Sequence, residues 1–272
     1  MLSKTKIAVI GVGKMGETLS SSLLDAGVVS NDQIIAACRH EERLAYIAEK
    51  YGIQTTVENK HAVKEADIVL LCVKPQAVDA VLKDIGPVLN EKQLVISIVA
   101  SLTTQHIEEK LKNNVPVVRV MPNTPCLIRK GMTGICPGKY ADDNHLGYAE
   151  NIFNEVGRTL RIEEKHLDAV TGLSASGPAF IYVIIESMAE GGVKVGLPRD
   201  IATELAAQTV LGSASMVLET GNHPALLKDA VTTPAGCTID GLMELEEGGL
   251  RVTLIKTIVK ATERARELIK DK

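Results

Sequence analysis

The hydrophobic positions of roughly the first 160 residues fall into short apolar runs with amphipathic stretches between them. Runs rich in Val, Ile and Leu are typical of strands buried on both faces of a parallel sheet. They lie at residues 7–10, 33–38, 67–73, 94–100 and 117–121, with a weaker one at 54–57. The stretches between them predict helices at 17–26, 41–51, 103–112 and 142–156. This alternation predicts an α/β fold with a doubly wound, Rossmann-type sheet, including an edge strand at 132–136 and a last strand at 159–162.

The pattern becomes wholly helical after about residue 165. Helical periodicity covers residues 178–193, 198–219, 224–231 and 249–270. We therefore predict an α/β domain at 1–164 and an all-α domain at 165–272. Small residues such as Ala202, Ala206 and Gly212 are frequent in the second domain. Because small residues let helices approach closely, this domain is predicted to pack against a second copy of the chain as a homodimer.

Three glycines follow the first strand at G-x-G-x-x-G spacing, namely Gly11, Gly13 and Gly16. In dinucleotide-binding folds the first glycine permits a tight turn, the second lets a pyrophosphate approach the backbone, and the third lets the helix pack on the strand. The amides that open the helix would hold the phosphates. An ordinary glycine-rich turn is the alternative interpretation. The spacing predicts a dinucleotide-binding domain whose cofactor loop is formed by Gly11, Val12, Gly13, Lys14, Met15 and Gly16.

The ends of two strands bear on which dinucleotide is bound. Folds that prefer NAD usually place an acid at the end of the second strand, whereas a basic residue suits the extra phosphate of NADP. Here that strand ends in Cys38, Arg39 and His40. Arg39 therefore predicts NADP, with NADPH preferred and NADH possible. Lys74, after the strand at 67–73, is a second cofactor candidate. The alternatives are a solvated surface arginine and a rim lysine.

Two turns of small residues in the helical half are candidate substrate sites. In residues 173–178, Ser174 or Ser176 could cap the next helix or contact a ligand. In residues 231–238, the turn around Gly236 precedes a helix, so its amides form a second anion site that suits a carboxylate. Thr238 adds a hydroxyl that can donate or accept a hydrogen bond. A helix-capping turn is the alternative interpretation here too.

Composition excludes several classes of partner. The chain has 272 residues, 45% of them hydrophobic, and a formal net charge of −4, which predicts no binding to nucleic acid or anionic membranes. Its apolar runs are far shorter than the ~20 residues of a membrane helix. The N-terminus shows no secretory pattern, and the five cysteines form no C-x-x-C pair, which favours a cytoplasmic location. The six scattered histidines predict no metal site.

Together with longer motifs, these features give the chain a family resemblance. It resembles the Δ1-pyrroline-5-carboxylate reductase family over essentially its full length. The motifs that carry the resemblance are the glycine loop and residues 73–75, 123–125, 171–179, 191–198 and 224–241. The resemblance implies an oxidoreductase that transfers hydride from NAD(P)H to a cyclic imine, giving L-proline in amino-acid biosynthesis. It also implies a Rossmann domain followed by a helical dimerisation domain, with dimers often assembled into decamers.

The same resemblance implies roles for individual residues. The substrate carboxylate would rest on the amides of Gly236, Cys237 and Thr238, while the Thr238 hydroxyl, the implied catalytic group, reaches the ring nitrogen. Ser176 is assigned to the substrate as well. Besides the glycine loop, the implied cofactor residues are Arg39, Asn59, Cys72, Val73, Lys74, Pro75, Ala100 and Asn123.

Two other functions fit parts of this pattern. A β-hydroxyacid dehydrogenase-like NADP oxidoreductase would have a similar glycine loop, but that family uses a lysine in a glycine-rich helix of its second domain. Residues 177–191, the corresponding segment, contain no lysine. A non-catalytic NADP-binding sensor would keep the glycine loop and need not keep the turn at 232–238. The presence of both turns favours the enzyme that acts on a small-molecule substrate.

Overall fold

The chain divides into two compact units in a computed structural model. The structure describes residue 2, residues 4–111 and residues 113–270, and of residues 269 and 270 it describes the backbone alone. One unit holds the described residues up to Ala175 and those from Ala261 onward, and the other is Ser176–Lys260. The boundary predicted near residue 164 falls earlier in the chain than this division. It stays a prediction about domain organisation.

A single eight-stranded sheet organises the first unit. The strands are β1 (Ile7–Ile10), β2 (Ile34–Ala37), β3 (Gln54–Thr56), β4 (Ile68–Leu71), β5 (Leu94–Ser97), β6 (Val117–Met121), β7 (Gly131–Pro137) and β8 (Gly157–Arg161). Their order is β3-β2-β1-β4-β5-β6-β7-β8, and all neighbours are parallel except β6 and β7. The order places the β1/β4 junction, where the winding direction reverses, at the centre of the fold.

Helices cover both faces of this sheet. They are α1 (Lys14–Asp25), α2 (Glu41–Tyr51), α3 (Asn59–Lys64), α4 (Val78–Ile85), α5 (Thr104–Leu111), α6 (Asp143–Asn154) and α7 (Leu167–Val170). Because side chains alternate along a strand, Ile7 and Val9 of β1 join a core with α1, α2 and α6, whereas Ala8 and Ile10 join a core with α3, α4 and α5. The predicted doubly wound, Rossmann-type fold is confirmed.

Two details of this unit differ from the sequence predictions, and a third cannot be compared with the structure. The strand predicted at 132–136 is not an edge strand, because β8 pairs in parallel with β7 and itself forms the edge. Helix α1 begins at Lys14 rather than at residue 17, because Gly13 is already its N-cap. Lys112, predicted as the last residue of α5, lies outside the described residues.

The second unit is helical. It contains α8 (Gly177–Lys194), α9 (Arg199–Thr220), α10 (Pro224–Ala230), α11 (Cys237–Glu247) and the first part of α12 (Leu250–Lys270). Helices α8 and α9 pack closely, since a side chain at Gly192 would place its Cβ 3.0 Å from the Cβ of Ala202. The sequence predicted that Ala202 and Ala206 pack against a second copy of the chain. In the structure both are buried beside Ala189 of α8 in the same chain. These two alanines therefore serve packing within this unit.

Large apolar side chains remain exposed on the same helices. They include Tyr182, Val183, Leu205, Leu211, Met216 and Leu218. By length and composition alone, two helical stretches could cross a membrane, namely Glu164–Lys194 and Arg199–Thr220. Few of their residues are buried inside the protein. Neither stretch is an uninterrupted apolar run in the sequence, because a few polar residues are spread along each of them. Exposed apolar surface of this extent is a feature of interaction sites.

Candidate cofactor and substrate sites

Steric constraints fix two of the three loop glycines. Gly11 has φ of 97°, a left-handed conformation that favours glycine, and its amide donates to the carbonyl of Ala37 at 2.8 Å. A Cβ at Gly11 would lie 2.8 Å from the carbonyl oxygen of Cys72, and a Cβ at Gly16 would lie 2.3 Å from that of Gly11. Each contact is with the backbone and has no room to relax. These two glycines are therefore required by the fold itself.

The middle glycine is different, because a Cβ at Gly13 would meet no atom within 4 Å. Gly13 is the N-cap of α1, with an extended backbone and no side-chain cap. The first amides of a helix have no acceptor within the helix, so they are available to a ligand. Open space beside uncapped helix amides is the arrangement that a diphosphate requires. The loop therefore fits the diphosphate of a dinucleotide.

A cavity of ≈ 510 Å³ opens in front of this loop. Its lining residues are Ile10, Gly11, Val12, Gly13, Ala37, Cys38, Arg39, His40, Arg43, Asn59, Cys72, Val73, Lys74, Ala77 and Val81. An adjoining cavity of ≈ 560 Å³ shares Arg39, Asn59 and Lys74. Among the described residues, no Asp or Glu lines the first cavity, whereas Arg39 and Lys74 bring cations to it. This charge pattern fits an additional phosphate better than a ribose diol.

The other polar residues of the cavity have limited chemistry of their own. Enclosure by the protein raises the pKa of the Cys72 thiol to about 12, so Cys72 stays neutral at physiological pH. The side-chain amide nitrogen of Asn59, Nδ2, lies 3.3 Å from Oδ2 of Asp84. Both residues shape and line the cavity without offering a proton donor tuned for catalysis.

Several predicted cofactor residues do not line this cavity. Lys14, Met15 and Gly16 lie in the first turn of α1, and Pro75 begins a short turn of 3₁₀ helix. Ala100 packs against the small core of Met121, Cys136 and Leu167.

Asn123 uses its side chain inside the first unit. Its Oδ1 accepts from the amide of Met132 at 2.9 Å, and its Nδ2 lies 3.2 Å from the carbonyl of Ser174. The side chain of Asn123 thereby ties β7 to the turn before α8, and the structure assigns it this structural contact.

Two further residues line the cavity, namely His40, to which the sequence analysis gave no role, and Arg43, which it did not mention. Both follow β2, whose carboxyl end faces the cavity. The sequence could have indicated this position, because the first turn of α2 must lie at the same edge of the sheet as Arg39.

In the second unit, the turn before α11 is tightly constrained. Ala235 has φ of 55°, a left-handed conformation that is uncommon for alanine. The amide of Gly236 donates to the carbonyl of Thr233 at 3.1 Å, and a Cβ at Gly236 would lie only 2.4 Å from the Thr233 hydroxyl. Gly236 is the N-cap of α11 and has no side-chain cap. The turn therefore presents free helix amides, as the sequence predicts for an anion site.

Neither of the two candidate hydroxyls acts as a helix cap. Thr238 lies two residues inside α11, since Gly236 occupies the cap position, and its hydroxyl makes no hydrogen bond within the part of the chain described. Ser176 occupies the N-cap position of α8, but its side chain makes no capping bond. Cys237, the first residue of α11, is exposed. The helix-cap interpretation of Thr238 and Ser176 thus lacks the bond that it requires.

The fold and the glycine-loop cavity define an NAD(P)-dependent oxidoreductase. Residues 6–101 match the family model described as NADP oxidoreductase coenzyme F420-dependent, and residues 164–268 match pyrroline-5-carboxylate reductase dimerisation. The chain belongs to the pyrroline-5-carboxylate reductase family. It is 44% identical over 267 residues to the pyrroline-5-carboxylate reductase of Methanosarcina acetivorans, covering 98% of this chain and 99% of that protein.

Solved structures agree with this assignment. The pyrroline-5-carboxylate reductase of Coxiella burnetii superposes with a TM-score of 0.92 at 36% identity, covering 98% of this chain and 99% of that one. The Plasmodium falciparum pyrroline carboxylate reductase, solved with NADP bound, gives a TM-score of 0.87 at 30% identity over the same shares of the two chains. The family resemblance found in the sequence is confirmed.

Proposed function

We propose that this protein reduces Δ1-pyrroline-5-carboxylate to L-proline with NADPH in the cytoplasm. The observation that carries the proposal is the presence in one chain of two helices that begin at a glycine N-cap without a side-chain cap, at Gly13 and Gly236. The first suits a dinucleotide diphosphate and the second a substrate carboxylate. The relatives named above are reductases of this substrate.

The residues of the chain would bind, orient and exclude water. NADPH, when bound, supplies the hydride. The glycine loop would hold the cofactor diphosphate, while Arg39 and Lys74 would pair with its additional phosphate. The amides of Gly236 and Cys237 would hold the substrate carboxylate, and Ser176 would line the same substrate. Once the imine nitrogen is protonated, the imine carbon is already electrophilic, so it needs orientation by the protein more than further acid–base chemistry.

Thr238 has the one directed chemical role in this scheme. Its hydroxyl would hydrogen-bond the ring nitrogen of the imine, and a bond that strengthens as the nitrogen gains electron density stabilises the transition state more than the ground state. Two features support the role: the hydroxyl has no partner within the described chain, and it lies beside the proposed carboxylate site. The role requires no ionisable side chain on the protein.

We further propose that the protein is a homodimer through its helical half, and that dimers assemble into a decamer as the family resemblance implies. The exposed apolar side chains of α8 and α9 support the dimer, because residues 164–268 match a dimerisation model. A second copy would cover this surface, which accounts for the apolar helices without a membrane. Sedimentation velocity across a dilution series tests the assembly, and a fully active monomer would exclude it.

One assay separates the proposed activity from its alternatives. Oxidation of NADPH is followed with pyrroline-5-carboxylate, and reduction of NADP is followed in parallel with 3-hydroxyisobutyrate. We expect turnover only in the first reaction. Turnover only in the second would indicate a β-hydroxyacid dehydrogenase. NADPH binding without turnover of either substrate would indicate a sensor.

A further inference from the structure

Arg43 touches the glycine loop itself. Its Nε donates to the carbonyl oxygen of Val12 at 2.8 Å, and its Nη2 is hydrogen-bonded to the carboxylate of Glu17. Both side chains are partly buried, with 31% and 19% of their surface exposed. One guanidinium therefore connects the loop to a carboxylate in the first turn of α1.

Glu17 is itself firmly held. Its carboxylate accepts from Tyr51 Oη at 2.7 Å and from Lys50 Nζ at 3.0 Å, in addition to Arg43. Burial disfavours the charged carboxylate, but the hydrogen bonds from Tyr51, Arg43 and Lys50 outweigh burial and lower the pKa of Glu17 to about 2. Glu17 is therefore ionised at neutral pH. Its charge fixes the guanidinium plane of Arg43.

The contact to Val12 matters because of the geometry of a peptide bond. The group is planar and trans, so the Val12 carbonyl and the Gly13 amide point in opposite directions, and fixing one fixes the other. Gly13 has no side chain to restrict rotation of this peptide, so glycine alone would leave its orientation loosely determined. A hydrogen bond from outside the loop is the device that selects one orientation.

The charge of Glu17 would otherwise oppose cofactor binding. A carboxylate in the first turn of α1 lies near the place where a diphosphate would bind, and like charges repel. Arg43 and Lys50 bring two positive charges to the one negative charge. Arg43 alone balances the charge of Glu17, so the pair is neutral beside the loop even without Lys50.

We propose that Glu17 and Arg43 form a positioning pair that holds the Val12–Gly13 peptide in the orientation that binds the cofactor diphosphate. The inference rests on the proposed function, because it concerns the same dinucleotide. It differs from the role of Arg39 in one respect. The diphosphate is common to NADPH and NADH, so the positioning pair serves both cofactors equally.

The test measures direct binding as well as turnover. Dissociation constants of the full-length protein for NADPH and NADH are measured by fluorescence titration of the reduced nicotinamide. Arg43→Lys keeps the charge but lacks the planar fork that joins Val12 to Glu17. We expect it to weaken NADPH and NADH by the same factor, about tenfold, as for the loss of one charge-assisted hydrogen bond. Glu17→Gln should also weaken the binding of both cofactors, although it removes a negative charge, because it frees the guanidinium of Arg43.

Lys50→Gln is the matched control, because Lys50 also contacts Glu17 but does not touch the loop. We expect it to bind both cofactors within about twofold of the wild type, with melting temperatures reported for all variants. Because an oriented hydrogen bond is screened less than a diffuse charge, the defect of Arg43→Lys should persist in high salt.

Four results would overturn the positioning pair. A loss confined to NADPH would make Arg43 a direct ligand of the additional phosphate. An equal loss in Lys50→Gln would show that any change around Glu17 has the same effect, which would leave the contact between Arg43 and Val12 without a special role. Unchanged affinities in Arg43→Lys, in a wild type that does reduce pyrroline-5-carboxylate, would overturn the pair alone. A wild type that binds neither cofactor would overturn the proposed function as well.

Discussion

Substituting alanine for Gly13 should separate folding from cofactor binding. The backbone of Gly13, with φ of −72° and ψ of −166°, is one that alanine adopts without strain, and the added methyl would meet no protein atom within 4 Å. Such a substitution restricts the unfolded chain and should stabilise the protein by about 0.4 to 1 kcal/mol. The methyl would nonetheless occupy the open space in front of the α1 amides. Stability and binding should therefore change in opposite directions.

The expected loss of affinity follows from the bonds at risk. A methyl that displaces a phosphate oxygen from a helix amide removes at least one charge-assisted hydrogen bond, worth about 1.5 to 3 kcal/mol. That range corresponds to binding about 10- to 150-fold weaker. Urea unfolding measures the stability, and fluorescence titration with NADPH measures the affinity.

Gly16→Ala is the matched control three residues away. Its Cβ would lie 2.3 Å from the carbonyl oxygen of Gly11, so it should destabilise the fold by about 1 to 3 kcal/mol or more. Wild-type NADPH affinity in Gly13→Ala would refute the argument that the open space belongs to the diphosphate. A strong loss of stability in Gly13→Ala would refute the steric argument itself.

Three further substitutions test other parts of the site. Arg39→Ala should raise the KM for NADPH and leave that for NADH nearly unchanged, whereas equal effects on both would contradict an additional-phosphate contact. Thr238→Ala should lower kcat by roughly 30- to 1,000-fold at an unchanged melting temperature while Thr238→Ser retains most activity, and a normal kcat in the alanine variant would remove the catalytic role. Because the pKa of Glu17 is lowered to about 2, its ionisation stabilises the fold above about pH 4.5 and this contribution is lost as the pH falls toward 2. The free energy of unfolding lost in Glu17→Gln should accordingly approach about 3 kcal/mol above pH 5 and shrink in acid, and a difference independent of pH would count against the ion-pair network.

The sequence was most informative where local pattern and tertiary structure have the same cause. The strands at 7–10 and 117–121 were predicted to the residue, because both are rich in Val and Ile or Met and are followed directly by glycine or proline; only Arg119 interrupts the apolar pattern of the second. The position of β7 was not predictable in this way. Whether a strand lies at an edge depends on which later strand pairs with it, and β8 carries no signal of its partner.

The candidate site divides along the same line. The glycine loop, Arg39 and Lys74 could be proposed from the sequence because each occupies a fixed place relative to a strand end. Arg43 was missed because its significance depends on the carbonyl of Val12, a contact between residues 31 positions apart. The side chain of Asn123 was assigned to the cofactor, but its bonds to Met132 and Ser174 show a structural role that no sequence motif specifies.

The position of the last helix, α12, determines which truncated forms of the protein keep the sheet-containing unit whole. Residues from Ala261 onward belong to the same unit as the sheet, where Ala265 is buried and its carbonyl lies 3.4 Å from the Ser101 hydroxyl. In the order of the gene, the helical unit is therefore an insertion, and no single truncation point releases the sheet-containing unit whole. A fragment stopped at residue 164 or 175 would expose the surface that α12 covers. An internal deletion that joins Ala175 to Ala261 through a flexible linker would retain the part of α12 that covers this surface.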